Sequence, residues 1–249
     1  MSDDVGRDGD APAFYALAPG GWRDYWTLLH PPYTLWHLSY VAIGASVAPT
    51  LNGRWLAETL LAFFLAVGLA AHALDELHGR PLRTRIPGTA LGAIAVLGIA
   101  GAVALGVDGA IEVSPWLAAF IVTGGWLVVA YNLELLGGAF HSDLWFALAW
   151  GAFPALTGCF AQGGRLNAAG VMVAGACAAA SFAQRTLSRS ARKLRRSVRS
   201  VEGSLLLHNG TVETLDAQRL RAAPEGALRW LWIAMVLLAT GLVTARVLR

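Results

Sequence analysis

Residues 88–106 read GTALGAIAVLGIAGAVALG, a stretch without a charged side chain. As an α-helix it would rise about 28 Å, close to the roughly 30 Å hydrocarbon thickness of a bilayer. Its many glycines and alanines favour close approach of neighbouring helices in lipid. This stretch therefore predicts a transmembrane helix inside a helical bundle.

Six further apolar runs surround this stretch, so we expect an all-α polytopic membrane protein with about seven transmembrane helices. Hydrophobic residues make up 56% of the 249-residue chain and charged residues only 14%. That is too little charge to cover the surface of a soluble domain of this length. The predicted spans are residues 35–51, 55–74, 89–107, 113–131, 144–161, 168–183 and 227–247.

The predicted spans divide the chain into four parts. Residues 1–21 form a polar tail, residues 22–183 a membrane bundle of six helices, residues 184–226 a basic segment, and residues 227–249 the last transmembrane helix. Within the basic segment, Asn209-Gly210 separates two runs rich in β-forming residues. This arrangement predicts a small β-hairpin inserted before the last helix.

The basic residues indicate how the bundle is oriented. With seven spans, fifteen of the nineteen Lys and Arg side chains fall on the same side as the N-terminus. The positive-inside rule makes that side cytoplasmic. We therefore expect an integral protein of a bacterial cytoplasmic membrane, whose basic residues 185–199 contact anionic membrane lipid and not nucleic acid.

A first group of polar residues lies in residues 70–85, AAHALDELHGRPLRTR. Asp75 and Glu76 share a helix face with His72. Their carboxylates suit Mg²⁺, so both are candidate catalytic residues and metal ligands. The stretch also fits an ordinary helix end, in which the carboxylates pair with arginines and Gly79 stops the helix. Candidate substrate-binding residues here are His72, Arg80, Arg83 and Arg85.

A second group of polar residues lies in residues 131–143, YNLELLGGAFHSD. Asp143 also fits the N-cap of the following helix. Both groups lie at cytoplasmic ends of predicted spans, so we expect them to face one cavity. Ionisable side chains at membrane depth usually mark a functional site. The candidate substrate-binding residues of this group are Tyr131, Asn132, His141 and Asp143.

Three stretches together resemble the UbiA superfamily of intramembrane prenyltransferases over about residues 22–195. Residues 30–49, HPPYTLWHLSYVAIGASVAP, are similar to the family's Arg-Pro-led first helix. Residues 75–87, DELHGRPLRTRIP, are similar to the acidic motif and Arg-Pro element that close its second helix. Residues 131–162, YNLELLGGAFHSDLWFALAWGAFPALTGCFAQ, are similar to its tyrosine-bearing fourth-helix end and the fifth helix that follows.

The resemblance implies a nine-helix bundle around a cavity open to the cytoplasmic side and to lipid. It also implies transfer of a polyprenyl group from a diphosphate, with magnesium held by two aspartate-rich motifs. Only Asp75 matches the first motif, Asn-Asp-x-x-Asp-x-x-x-Asp, because Ala71, His72 and Gly79 occupy its other positions. The second motif falls near residues 184–192, QRTLSRSAR, which contain no carboxylate. Arginines are then expected to bind phosphate directly, namely Arg185, Arg189 and Arg192.

The sequence leaves three functions open. A divergent prenyltransferase would use a single magnesium ion at Asp75 and Glu76, together with the arginines of residues 185–192. A non-catalytic descendant would bind an isoprenoid diphosphate or lipid phosphate, or stabilise a partner membrane enzyme. A carrier of small solutes is disfavoured, because the chain has no obvious inverted repeat and few intramembrane charges.

Overall fold

The computed structural model describes residues 11–248 and is mostly helical. The predicted hairpin is confirmed: β1 (Ser204–Leu206) and β2 (Val212–Thr214) form an antiparallel pair. A short helical turn at Leu135–Gly138 precedes the sixth helix. The helices are α1 (Trp22–Leu29), α2 (Pro31–Ser46), α3 (Gly53–Leu77), α4 (Gly88–Glu112), α5 (Leu117–Asn132), α6 (residues 143–160), α7 (Ala168–Arg196) and α8 (Ala217–Val247).

Three of the helices in residues 11–248 are long and apolar enough to cross a membrane, namely α3, α4 and α8. Helix α5 is a shorter apolar helix. The other predicted spans lie mainly in α2, α6 and α7. The structure therefore agrees with an all-helical membrane-protein class, while the count of seven spans stays a prediction.

Helices α2 and α6 pack so closely that their backbones touch. A Cβ atom added at Gly44 of α2 would lie 2.0 Å from the carbonyl oxygen of Ala155. One added at Gly158 of α6 would lie 2.1 Å from the carbonyl oxygen of Val41. Only glycine fits at either position, so this contact holds α2 against α6 in the core of the bundle.

The helices have two chemically distinct ends. The acidic end holds Arg54 and Glu58 at the start of α3, and Asp108 and Glu112 at the end of α4. The basic end lies about 37 Å away along the 25 residues of α3. It contains the last turn of α3, the end of α5, the start of α6 and the arginine-rich end of α7.

Two helices contain π-helical turns near the middle of the bundle. In α3 the π segment is Phe64–Ala71, and in α6 it is Leu148–Ala152. Such turns are frequent at functional sites, because they change which backbone groups remain available. In each π segment a backbone carbonyl accepts a hydrogen bond from a histidine side chain. His72 Nδ1 donates to the carbonyl of Gly68 at 3.1 Å, and His37 Nδ1 donates to that of Trp150 at 2.8 Å.

Candidate functional site

The centre of the basic end is Asp75, on the last turn of α3. Its carboxylate forms no hydrogen bond or ion pair within the described residues. It does interact electrostatically, without direct contact, with Arg192, Arg196 and His141. The guanidinium of Arg192 also has no hydrogen-bond or ion-pair partner anywhere in residues 11–248. Opposite charges that lie near one another without pairing leave both groups available to a ligand.

Two stacked imidazoles lie beside Asp75. The rings of His30, between α1 and α2, and His72 have centroids 4.1 Å apart and planes inclined by 16°. The hydroxyl of Tyr15 lies 2.8 Å from His30 Nδ1. Burial, aided by the nearby His72, lowers the pKa of His30 well below 6.5, and burial raises the pKa of Tyr15 well above 10. A protonated phenol therefore donates to a neutral imidazole.

The lowered pKa of His30 predicts a loss of stability in acid. The unfolded chain takes up a proton near the ordinary histidine value of 6.5, whereas folded His30 does so only at lower pH. Above about pH 6.5, His30 therefore does not change the free energy of unfolding with pH. Below about pH 6.5, His30 lowers the free energy of unfolding by up to about 1.4 kcal/mol per pH unit. Chemical unfolding in detergent, measured at about pH 7.5 and about pH 5.5, should show a steeper loss for wild type than for His30→Gln. Equal slopes would contradict the prediction.

The segment before α1 lies across the basic end. Arg195 donates to the carbonyl of Ala11 at 3.2 Å, and Arg196 Nε donates to that of Pro12 at 3.3 Å. The backbone amide of Leu17 donates to the hydroxyl of Thr27 at 3.1 Å. Residues 11–20 of the predicted polar tail are thus attached to the bundle, and the first ten residues of that tail lie outside the described residues.

The second predicted group adjoins the first through aromatic contacts. Tyr131 stacks on His141 with ring centroids 4.5 Å apart and meets Trp150 edge-on at 5.5 Å. The buried hydroxyl of Tyr131 has no hydrogen-bond partner within residues 11–248. The side chain of Asn132, by contrast, donates to the carbonyl of Val128 in its own helix at 2.7 Å. The hydroxyl of Tyr131 can therefore form a hydrogen bond to a ligand, whereas the side chain of Asn132 is used at the end of α5.

Asp143 joins the start of α6 to α7. Arg185 Nε donates to it at 3.2 Å, and Arg189 forms a second, very short ion pair with it. The N-cap prediction for Asp143 is wrong, because the hydroxyl of Ser142 accepts the hydrogen bond from Trp145 N–H at 3.2 Å. Among the three α7 arginines predicted to bind phosphate, Arg192 is the one that remains unpaired in the part of the chain that the structure describes.

Glu76 stabilises the loop that follows α3. Its side chain is fully buried and accepts from Leu82 N–H at 2.9 Å and from both N–H and hydroxyl of Thr84 at 2.8 and 2.9 Å. Both carboxylate oxygens are therefore occupied by donors of the protein. Neither Asp75 nor Glu76 pairs with an arginine of the described chain. The alternative interpretation, in which these carboxylates form ion pairs with arginines at the end of the helix, is therefore wrong.

The arginines of this loop differ in their surroundings. Arg80 donates to the carbonyl of Ile86 at 2.6 Å, which closes the loop on itself. Arg83 and Arg85 are exposed. Both oxygens of Glu76 accept hydrogen bonds from the loop, so of the two carboxylates only that of Asp75 is without a protein donor within residues 11–248. Within residues 11–248, no group of three or more His, Cys, Asp or Glu side chains is arranged to hold a metal ion.

An apolar cleft begins near the middle of the bundle, about 12 Å along α3 from Asp75, and runs toward the acidic end. It lies between α3, α4, α5 and α6 and spans about 980 Å³, a volume that includes open solvent at its mouth. At its inner end the lining includes Val67, Val128 and Trp150, the last of which contacts Tyr131. At the opposite end it reaches Trp55 and Glu58. The molecule thus joins a polar cluster to a long apolar space.

Several residues of the site were not predicted from the sequence. Tyr15, His30 and Arg196 reach the cluster from segments predicted as a tail, a helix start and a lipid-binding region. His37 is buried and bonds a π turn of α6. An imidazole within the otherwise apolar run of α2 was the available signal, since buried polar side chains need partners.

Comparisons with known proteins were made for the whole chain. No family model, curated protein or solved structure matches it. The functional assignment therefore rests on the chemistry of the site: Asp75, Arg192 and the Tyr131 hydroxyl, which lack partners within residues 11–248, and the apolar cleft that reaches Tyr131 through Trp150.

Proposed function

We propose that this chain is a UbiA-like membrane protein that binds an isoprenoid diphosphate, or a similar isoprenoid phosphate, at its basic end. The observation that carries the proposal is the two charged side chains Asp75 and Arg192, unpaired within the described residues and connected to the apolar cleft through Tyr131 and Trp150. An isoprenoid phosphate has the same two parts, a charged head and a long apolar chain.

The charged head would be bound mainly by α7. Arg192 presents a planar guanidinium that can donate two parallel hydrogen bonds to a phosphate. Arg196 uses its Nε for the carbonyl of Pro12, and it adds positive charge close by. Tyr131 supplies a hydroxyl donor from the opposite side of the cluster. These groups would hold the head through direct contacts from the protein.

A magnesium ion fits this proposal through Asp75 alone. Mg²⁺ binds through one or two carboxylates together with phosphate oxygens, and Asp75 supplies one carboxylate. Glu76 does not fit as a second ligand, because Leu82 and Thr84 already donate to its oxygens. When bound, the ion would neutralise charge on a leaving diphosphate.

The isoprenoid chain would lie in the cleft, entering past Trp150. Lipid tails are as apolar as the cleft, so moving the chain from the bilayer into it gains little hydrophobic free energy. Affinity should therefore come mostly from the head group and should depend strongly on Arg192. Transfer of the prenyl group would make the protein a divergent prenyltransferase.

Binding without transfer is the second candidate function, and the carboxylates favour it. Glu76 is committed to the loop, and residues 184–192 of α7 supply no acid. Guanidinium groups neutralise phosphate charge, but they do not reproduce two divalent ions on one diphosphate. A protein of this kind would hold the isoprenoid phosphate or present it to a partner membrane enzyme.

The test is binding of radiolabelled geranylgeranyl diphosphate to the protein in nanodiscs, with magnesium and with EDTA. Arg192→Gln should weaken binding at least about tenfold, because a hydrogen bond to a charged group contributes about 1.5–3 kcal/mol. Lys193→Gln is the matched control, since Lys193 is exposed on the same helix. Equal affinities of the two variants, or no binding by wild type, would refute the proposal.

The same assay separates the two candidate functions. Magnesium-dependent release of diphosphate that Asp75→Asn abolishes would identify a prenyltransferase. Binding that persists in EDTA, without release of diphosphate, would identify a non-catalytic receptor. In both cases Arg192 is required.

A further inference from the structure

A second polar feature of the cleft lies at its acidic end. Glu58, on the second turn of α3, lines the cleft together with Thr59. Its Oε1 accepts from Arg54 Nε at 2.7 Å. Its Oε2 atom is shielded from solvent and has no hydrogen-bond partner within residues 11–248, while the Glu58 side chain as a whole is 24% exposed. A buried carboxylate oxygen without a donor is costly, so this atom points to a ligand that would supply one.

Arg54 cannot supply that donor, because its other nitrogens are engaged. They donate to Asp108 at 2.9 Å and to Glu112 at 3.0 Å. The guanidinium of Arg54 thus forms ion pairs with three carboxylates. These four side chains together carry two formal negative charges at this mouth of the cleft. A cationic donor is therefore favoured over a neutral one.

The cleft also has room for the apolar chain of a ligand, deeper in the bundle than Glu58. Gly125 of α5 lines the cleft, and a Cβ atom added there would meet no atom within 4 Å. Most other lining residues near this end are apolar, including Ile121 and Phe120, and the hydroxyl of Thr59 already donates to the carbonyl of Trp55 at 2.7 Å. A ligand that binds here must therefore combine a small cationic head with an apolar chain.

We propose that the acidic end of the cleft binds a long-chain primary amine. Its ammonium group donates to Glu58 Oε2, and its chain lies along the cleft past Gly125. A primary ammonium provides the N–H donor that the carboxylate lacks and the positive charge that the mouth favours. This site goes beyond the proposed function, since its head group lies at the opposite end of α3 from Arg192.

The test uses two diazirine-bearing probes with the same chain, a primary amine and an alcohol, at neutral pH. The full-length protein is labelled by light in nanodiscs of zwitterionic lipid, and the labelled residues are identified by mass spectrometry. For wild type we expect the amine to label cleft residues of α3 and α5 about tenfold more than the alcohol, as a charge-assisted hydrogen bond would give.

Three variants make this test specific. Glu58→Gln keeps the shape of the side chain and should lower amine labelling about tenfold, to the level of the alcohol. Gly125→Leu fills the cleft and should lower labelling by both probes. Gly175→Leu is its matched control, because Gly175 also has open space at its Cβ position but lies on α7 outside the cleft lining. It should label like wild type.

Two results would overturn the proposal. One is amine labelling that Glu58→Gln leaves unchanged; the other is labelling that maps to lipid-facing residues outside the cleft. Glu58→Gln tests the site even if Gly125→Leu fails to fold. Diphosphate binding at the basic end is measured separately on the same variant. Retained diphosphate binding with unchanged amine labelling would reject the amine site alone.

Discussion

Gly158→Ala is expected to lower the free energy of unfolding by about 3 kcal/mol, because overfilling a close-packed interior forces the backbone to move. The new methyl group would lie 2.1 Å from the carbonyl oxygen of Val41 and 2.9 Å from its carbonyl carbon. These are backbone atoms that no rotamer change can move away. Helices α2 and α6 would have to separate, and Gly44→Ala should act in the same way from the other side.

The measurement is denaturant-induced unfolding in mild detergent micelles, followed by tryptophan fluorescence. Gly175→Ala is the control, since its Cβ would meet no atom within 4 Å and alanine favours the helix by up to about 1 kcal/mol. If the Gly158→Ala variant unfolds at the same denaturant concentration as the Gly175→Ala control, α2 and α6 are not in backbone contact.

Glu225→Gln is expected to destabilise the protein by about 3–5 kcal/mol, the range found when one partner of a buried ion pair is removed. Arg195 on α7 donates to Glu225 on α8 through Nε at 2.5 Å and through a second nitrogen at 2.9 Å. The two side chains are only 4% and 10% exposed. Neutralising the carboxylate removes the negative charge that Glu225 places against the buried guanidinium of Arg195.

The exposed pair between Arg219 and Glu213 provides the comparison. Its side chains are 46% and 33% exposed, so Glu213→Gln should change stability by no more than about 1 kcal/mol. The same unfolding assay measures both variants. Glu225→Gln with an equally small effect would mean that water reaches the inner pair. The double variant Arg195→Leu/Glu225→Leu should recover much of the lost stability, because both charges of this pair are then removed together.

The helices were predictable because their signals are local. The apolar run at 89–107 lies within α4, and Gly79, with a φ of +95°, lies two residues after Leu77, the last residue of α3, as a helix-ending glycine should. Asn209-Gly210 lies in the turn of the hairpin for a similar reason, since Gly210 adopts a φ of +83° that favours glycine. Each feature depends on neighbours within a few residues.

The sequence also indicated part of the candidate site. Asp75 and Tyr131 were expected to face one cavity, because both lie at helix ends on one side of the bundle. Both are in the polar cluster of the basic end, with Arg192 beside them. Their common location followed from counting spans, which requires no knowledge of packing.

What each polar side chain does was decided by the tertiary structure. Glu76 holds a loop, Asp143 binds two arginines of α7, and His37 bonds Trp150, which is 113 residues away in the chain. The sequence shows that these groups can donate or accept, but not which partner reaches them. A buried polar group must find its partner wherever the packed helices place one, and that position depends on every contact in the bundle.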